Sequence, residues 1–180
     1  MYTKKLTVTG LLMAVSILLP QLFHLIGGQM AGRVFLPMHL GIFLIGFIVG
    51  GWYGIAAGLI VPVLSFAIVG MPPPPMLFFM LAELCVYGAV SGFLRFGEKA
   101  EQRKWIIYPK LLIAMVAGRV AFGLAIAVAA WLFKLPLNPI QVVSTSLVTG
   151  LPGIALQIVL IPAVYLLLKR GGFLFEPKPA

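Results

Sequence analysis

The stretch LLIAMVAGRVAFGLAIAVAAWLF, residues 111–133, is an unbroken apolar run except for one charge, Arg119. The next charge along the chain is Lys134. Twenty-three residues at 1.5 Å each suffice to cross a hydrocarbon core of about 30 Å. A charged side chain at the centre of such a helix costs roughly 3 kcal/mol on insertion scales, so Arg119 needs a partner inside the bundle. The fold question is whether the rest of the chain repeats this pattern.

It does. Of the 180 residues, 62% are hydrophobic and 9% charged, with a mean hydropathy of +1.12. A soluble domain carries about a quarter charged residues. The composition predicts an all-α integral membrane protein forming one membrane domain over 1–180, without room for a soluble catalytic domain. Six spans are expected at about 5–20, 36–50, 53–69, 76–95, 109–132 and 140–168. Lys4 and Lys5 precede the first, as in a signal peptide, but it runs to Pro20 without a small-residue cleavage site and reads as an uncleaved span.

Six spans place both termini on one side. Lys4, Lys5, Arg95, Lys99, Arg103, Lys104, Lys110, Lys169, Arg170 and Lys178 then share that side, against Arg33 and Lys134 on the other. The positive-inside rule predicts cytoplasmic termini. A net charge of +9 is explained by these topology signals and by lipid head groups, without nucleic acid as a partner.

The segments on the opposite side are unusual. QLFHLIGGQMAGRVFLPM, 21–38, is too apolar for an ordinary loop and too interrupted by glycine and proline for a helix, which predicts a segment folding back over the outer mouth of the bundle. GMPPPPM, 70–76, reads as a stiff polyproline connector, and FKLPLNP, 133–139, closes the third outer turn. There is no clear internal repeat of the kind inverted-repeat carriers show.

Polar groups inside the spans are the site candidates. Glu83 and Arg119 are the only acid and base well inside the apolar runs. Glu83 lies roughly 10 Å below the outer end of span four, counted at 1.5 Å per residue. Two readings stand open: a structural ion pair locking two helices, or a charged pocket in which Arg119 meets a substrate carboxylate. Tyr87, one turn from Glu83, shares its face, and His39 opens span two just after Pro37. On span six, Gln141, Thr145, Thr149, Gly153 and Gln157 recur at i+4 as a polar stripe, with Pro152 inside it. Threonines in such stripes often satisfy their hydroxyls on their own backbone. Ala117, Ala121, Ala125 and Ala129 form a small-residue stripe on span five, with Ala114 and Gly118 beside it, and Gly10 and Ala14 do the same on span one. Small residues let membrane helices approach closely.

Enzyme chemistry is not signalled. His24 and His39 form no HExxH, and no GxSxG, P-loop or paired carboxylate occurs. The single cysteine, Cys85, offers neither a disulfide nor a metal cage, so no metal or cofactor site is expected.

Five stretches, FLPMHLGIFLIGFIVGGWYG (35–54), VGMPPPPM (69–76), ELCVYGAVSGFL (83–94), IAMVAGRVAFG (113–123) and TGLPGIALQIVLIP (149–162), together resemble the substrate-binding S components of energy-coupling factor (ECF) vitamin transporters. The match is to the branch importing pantothenate, hydroxymethylpyrimidine and cobalamin-type compounds, and touches spans two to six in order. The resemblance implies a six-helix bundle in a prokaryotic plasma membrane, without enzymatic activity, that binds a vitamin in an outward-facing pocket. A transmembrane scaffold subunit and two cytoplasmic ATPases then drive release by toppling the S component. In such proteins the loop after span one caps the pocket and spans four to six line it. That carries onto Glu83, Tyr87 and Arg119, and onto Asn138, Gln141 and Thr145 at the outer half of span six. The scaffold-facing alanine pair of the family matches Gly10 and Ala14, a departure at the first position.

Pantothenate is the first candidate ligand, since Arg119 suits a carboxylate. A benzimidazole riboside (α-ribazole), a corrinoid, hydroxymethylpyrimidine and folate stay open, because Glu83 suits amine or hydroxyl donors. From other classes stand a stand-alone carrier or channel using Glu83 for proton coupling, and an assembly protein in which the Glu83–Arg119 pair only holds the fold.

Overall fold

The structure is a computed structural model that describes residues 2–97, 99, 103–171 and 175, with only the backbone of Gln29. Lys178, one of the predicted cytoplasmic cations, lies outside the described residues. Helices occupy Tyr2–Phe35 (α1), Pro37–Val49 (α2), Gly51–Val69 (α3), Met76–Phe93 (α4), Ile107–Phe133 (α5) and Pro139–Arg170 (α6), with a 3-10 turn at Lys104–Ile106. Six helical segments are long and apolar enough to cross a membrane, and no strand occurs among the described residues. The protein is an all-α bundle of six spanning helices.

Helices are the expected outcome here because lipid offers the backbone no hydrogen-bond partners, so each span must satisfy its own N–H and C=O groups. The same pressure overrides the reading of 21–38 as non-helical. The chain stays helical up to residue 26 and again over 29–35, interrupted only at Gly27 (φ −131°, ψ 16°) and Gly28 (φ 65°, ψ −166°). In a continuous helix Phe23 and Phe35 would stand about 18 Å apart. Their ring centroids are 5.0 Å apart, so the two glycines reverse the chain. The positive φ of Gly28 is the conformation that only glycine adopts without strain. The returning limb, 29–35, reaches Leu36, which takes the left-handed conformation (φ 49°) and starts α2 with Pro37 at its first turn. The second span is therefore a broken helix, Met30–Val49.

α1, α3, α4, α5 and α6 form a closed ring, each packed on the next, and α2 fills its centre against α1, α3, α4 and α6. Every residue of α2 except Phe47 is buried, which suits a helix apolar on all sides. Ile42, Phe43 and Ile45 of α2 meet Leu84 of α4, Leu111 of α5 and Ile161 of α6 in one cluster. Large apolar side chains on the outside, such as Leu6, Trp52 and Trp131, face what in a membrane is lipid.

Close approach is bought with glycine. Gly54 and Gly58 on α3 lie against the α4 backbone at Gly88 and at Leu84–Cys85, while Gly92 meets Gly50 and Gly51. These are two facing glycine pairs at i, i+4 spacing, the arrangement that lets spanning helices touch backbone to backbone. A Cβ on Gly58 would lie 2.6 Å from the Leu84 carbonyl carbon.

The two ends of the bundle differ. Lys5 stands over the Tyr53 ring at 6.0 Å, Trp52 meets Phe93 at 5.3 Å, and the Phe175 N–H donates to the Ile48 carbonyl at 3.0 Å. The start of α1, Phe175, the α2–α3 connection and the end of α4 thus gather at one end. The other end, where residues 27–28, 70–75 and 134–138 turn, holds a cavity. Replacing Gly88 by leucine should destabilise the protein by at least about 1–3 kcal/mol through overpacking. Gly10→Ala, which places its Cβ in open space, should leave thermal unfolding of the isolated protein in detergent unchanged.

Candidate functional site

Glu83 sits midway along α4, and Tyr87, one turn on, occupies the same face. The Tyr87 hydroxyl donates to Glu83 Oε1 at 2.6 Å. Arg119 arrives from α5, its Nη1 3.0 Å from the same Oε1, and the same nitrogen donates to Ser146 Oγ of α6 at 3.1 Å. From the start of α2, His39 brings Nε2 to 3.8 Å from Glu83 Oε2. Three helices therefore meet at one carboxylate, and α6 joins them through Arg119.

Local sequence explains the convergence. Gly118, next to Arg119, leaves space that the Tyr87 ring occupies, so a side chain there would collide with the ring. The Tyr87 ring is also braced by Phe43 at 4.5 Å and His39 at 5.5 Å between centroids. The Arg119 guanidinium stands 6.0 Å from the Phe122 ring.

Burial sets the electrostatics. The Glu83 side chain is 2% exposed and that of Arg119 12%. Glu83 is enclosed by its partners, whereas Arg119 keeps an open edge. Among the described residues its Nη2 and Nε make no hydrogen bond, so several of its five donors remain for another acceptor. Neither ring nitrogen of His39 has a hydrogen-bond partner among the described residues.

Above this cluster lies a cavity of about 570 Å³. Such a volume falls in the range of roughly 300–1,000 Å³ typical of small-molecule sites. Its floor includes His39, Glu83, Arg119 and Phe122. One wall is α6, presenting Gln141, Thr145, Ser146 and Thr149, and another is the limb 29–35 with Met30 and Arg33. Met71, Pro72 and Pro73 from the proline-rich connector, with Met76 and Met80 of α4, complete the apolar part.

Of the residues singled out in the sequence, Glu83, Tyr87, Arg119 and His39 are brought together, and Gln141 and Thr145 line the cavity above them. Tyr87 reaches the site through Glu83 and does not itself line the cavity. Asn138 stands apart: its Oδ1 accepts from the Ile140 and Gln141 N–H groups, capping α6. Gly10 and Ala14 lie on an exposed face of α1, away from the cavity. The sequence reading missed Ser146, one residue off the i+4 stripe, and the carbonyl of Leu36, which accepts from Gln157 Nε2 at 3.4 Å. Among the described residues no group of three His, Cys, Asp or Glu gathers as a metal site would need.

The family model described as ECF transporter, substrate-specific component, matches residues 4–165. The chain belongs to this family. No curated protein and no solved structure matches it. As an S component it is the substrate-specific, multi-pass membrane subunit of an ECF transporter, and works with the scaffold and ATPase subunits of that system. The family is one of transport subunits, not of enzymes.

The ion pair in this S component should behave as one unit. Removing either partner leaves a buried charge alone, which costs about 3–5 kcal/mol, while replacing both with apolar residues of similar volume costs far less. Glu83→Leu and Arg119→Met should each lower the unfolding temperature more than the double variant does. Additive losses in a thermal-unfolding cycle would show that the two residues are not coupled.

Proposed function

We infer that this S component captures a small water-soluble vitamin or precursor in the 570 Å³ cavity, with pantothenate as first candidate. The observation that carries the reading is the Arg119 guanidinium, held from behind by Glu83 and Ser146 but with donors left over at the cavity floor. A carbonyl, amide or hydroxyl oxygen of the ligand suits those donors, and Gln141, Thr145 and Thr149 on α6 suit hydroxyl and amide groups along the ligand. Glu83, Tyr87 and His39 then act by holding Arg119 in place, and Asn138 by fixing the start of α6 beside the cavity. α-Ribazole, hydroxymethylpyrimidine and folate fit the same volume class, whereas a corrinoid needs a much wider site.

The cavity end faces outward in this reading and both termini are cytoplasmic. In support, Lys4, Lys5, Arg95, Lys99, Arg103, Lys104, Lys110, Lys169 and Arg170 all belong to the opposite end of the bundle, as the positive-inside rule requires of the cytoplasmic side. The exposed Gly10–Ala14 face of α1 is the proposed contact with the scaffold subunit, and ATP hydrolysis by the partner subunits drives release.

Mass spectrometry of small molecules retained by the purified protein tests the ligand. Near one-to-one pantothenate is expected, and no vitamin retained even after incubation with a vitamin mixture would sink the reading. Arg119→Ala should weaken pantothenate binding at least about tenfold, the cost of a lost charged hydrogen bond. Ala14→Trp should leave vitamin binding intact and abolish co-purification with the scaffold.

A further inference from the structure

The cavity is lined by two arginines and one acid. Glu83 is committed to Arg119 at 3.0 Å, so the second cation, Arg33, stands unanswered. Its side chain is exposed, lines the cavity, and makes no ion pair or hydrogen bond with any described residue. The chain's other three acids, Glu98, Glu101 and Glu176, fall in sequence between α4 and α5 and after α6, and lie outside the described residues. The two arginines and the one carboxylate of the lining leave one net positive charge.

Arg33 is also held in position. The limb 29–35 is pinned to α1 by the Phe23–Phe35 contact and lies against α6, where the Val34 and Phe35 carbonyls approach Gly153. Gln157 ties down the next residue through the Leu36 carbonyl. Arg33 therefore projects from a braced helical turn.

Its place in the sequence is equally telling. Only Arg33 and Lys134 put cations at the cavity end, against the charge bias of the rest of the chain. Lys134 ends α5 and does not line the cavity. A topology signal would not be placed there.

We propose that Arg33 is the specificity-determining residue that binds the ligand's carboxylate, so that this S component selects a monoanionic vitamin oriented with its uncharged polar end towards Arg119, Ser146 and Thr149. The assignment rests on the reading of the cavity as a vitamin site. A guanidinium offers a carboxylate two parallel hydrogen bonds as well as charge. Arg119, already neutralised by Glu83, then serves as a donor to neutral oxygens and need not abandon its partner.

Titration calorimetry with pantothenate and with its neutral alcohol, pantothenol, separates the two arginines. The parent protein should prefer pantothenate at least about tenfold. Arg33→Gln should bring the two ligands close to equal affinity by weakening pantothenate alone, with an unchanged melting temperature because the side chain is exposed. Arg119→Gln should weaken both ligands together and keep the preference. A preference that survives Arg33→Gln, or collapses in Arg119→Gln instead, overturns the assignment while leaving pantothenate as the ligand. Parent protein that binds neither probe defeats the pantothenate reading. In that case an uncharged retained vitamin overturns the assignment too, as does an anionic one whose affinity Arg33→Gln leaves unchanged.

Discussion

A carboxylate 2% exposed inside a spanning bundle is stable only if the protein replaces the water it has lost, and much of this structure follows from how Glu83 is answered. One oxygen receives both the Arg119 guanidinium and the Tyr87 hydroxyl, and the other faces His39. Those partners come from α5, from α4 itself and from α2, and Arg119 is in turn bonded to α6. The requirement to neutralise one charge in a medium of low dielectric thus fixes the relative positions of four helices. It also explains why the break between the two parts of the second span falls at Leu36, three residues before His39. The break lets α2 begin at the depth of the carboxylate.

Hydrophobic burial does little to hold spanning helices together, because lipid tails are as apolar as leucine. Packing must do it, and the glycines supply the packing. Gly54 and Gly58 against Gly88 and Leu84 bring α3 onto α4, and Gly118 receives the Tyr87 ring so that α5 can approach α4. Without the second contact Arg119 would stand back from Glu83. The small residues and the ion pair are two halves of one arrangement: glycine sets the distance, and the charges make that distance worth holding.

The number and type of the spans were legible because lipid demands long apolar runs, and 111–133 announces this without ambiguity. The central cluster was partly legible too: an acid and a base buried in such runs must find partners, so Glu83 pointed to Arg119 and to Tyr87 one turn away. Ser146 was not legible, since its contact with Arg119 depends on the rotation of α6 about its axis, which an i+4 stripe of threonines does not determine. Asn138 entered as a pocket residue through the family resemblance; its local role, capping α6 directly before Pro139, is the one its own sequence context points to. The segment 21–38 was misread for a different reason. Glycine and proline count as helix breakers in water, where the freed backbone is solvated. In lipid the backbone has no such option, so the chain turns at Gly27–Gly28 and resumes the helix at once.

The same constraint limits what Arg119 can do for a ligand. To grip a carboxylate fully it would have to release Glu83, and an isolated buried carboxylate costs about 3–5 kcal/mol. A ligand would spend most of a thousandfold in affinity on that exchange, at about 1.4 kcal/mol per factor of ten. Binding through the unused Nη2 and Nε donors avoids the penalty, because the pair stays closed and the cluster stays neutral. An arginine paired in this way reads neutral oxygens well and anions poorly. A second, unpaired cation is then what a cavity of this design needs to discriminate by charge, and Arg33, braced above the floor by α6, is placed to be that cation.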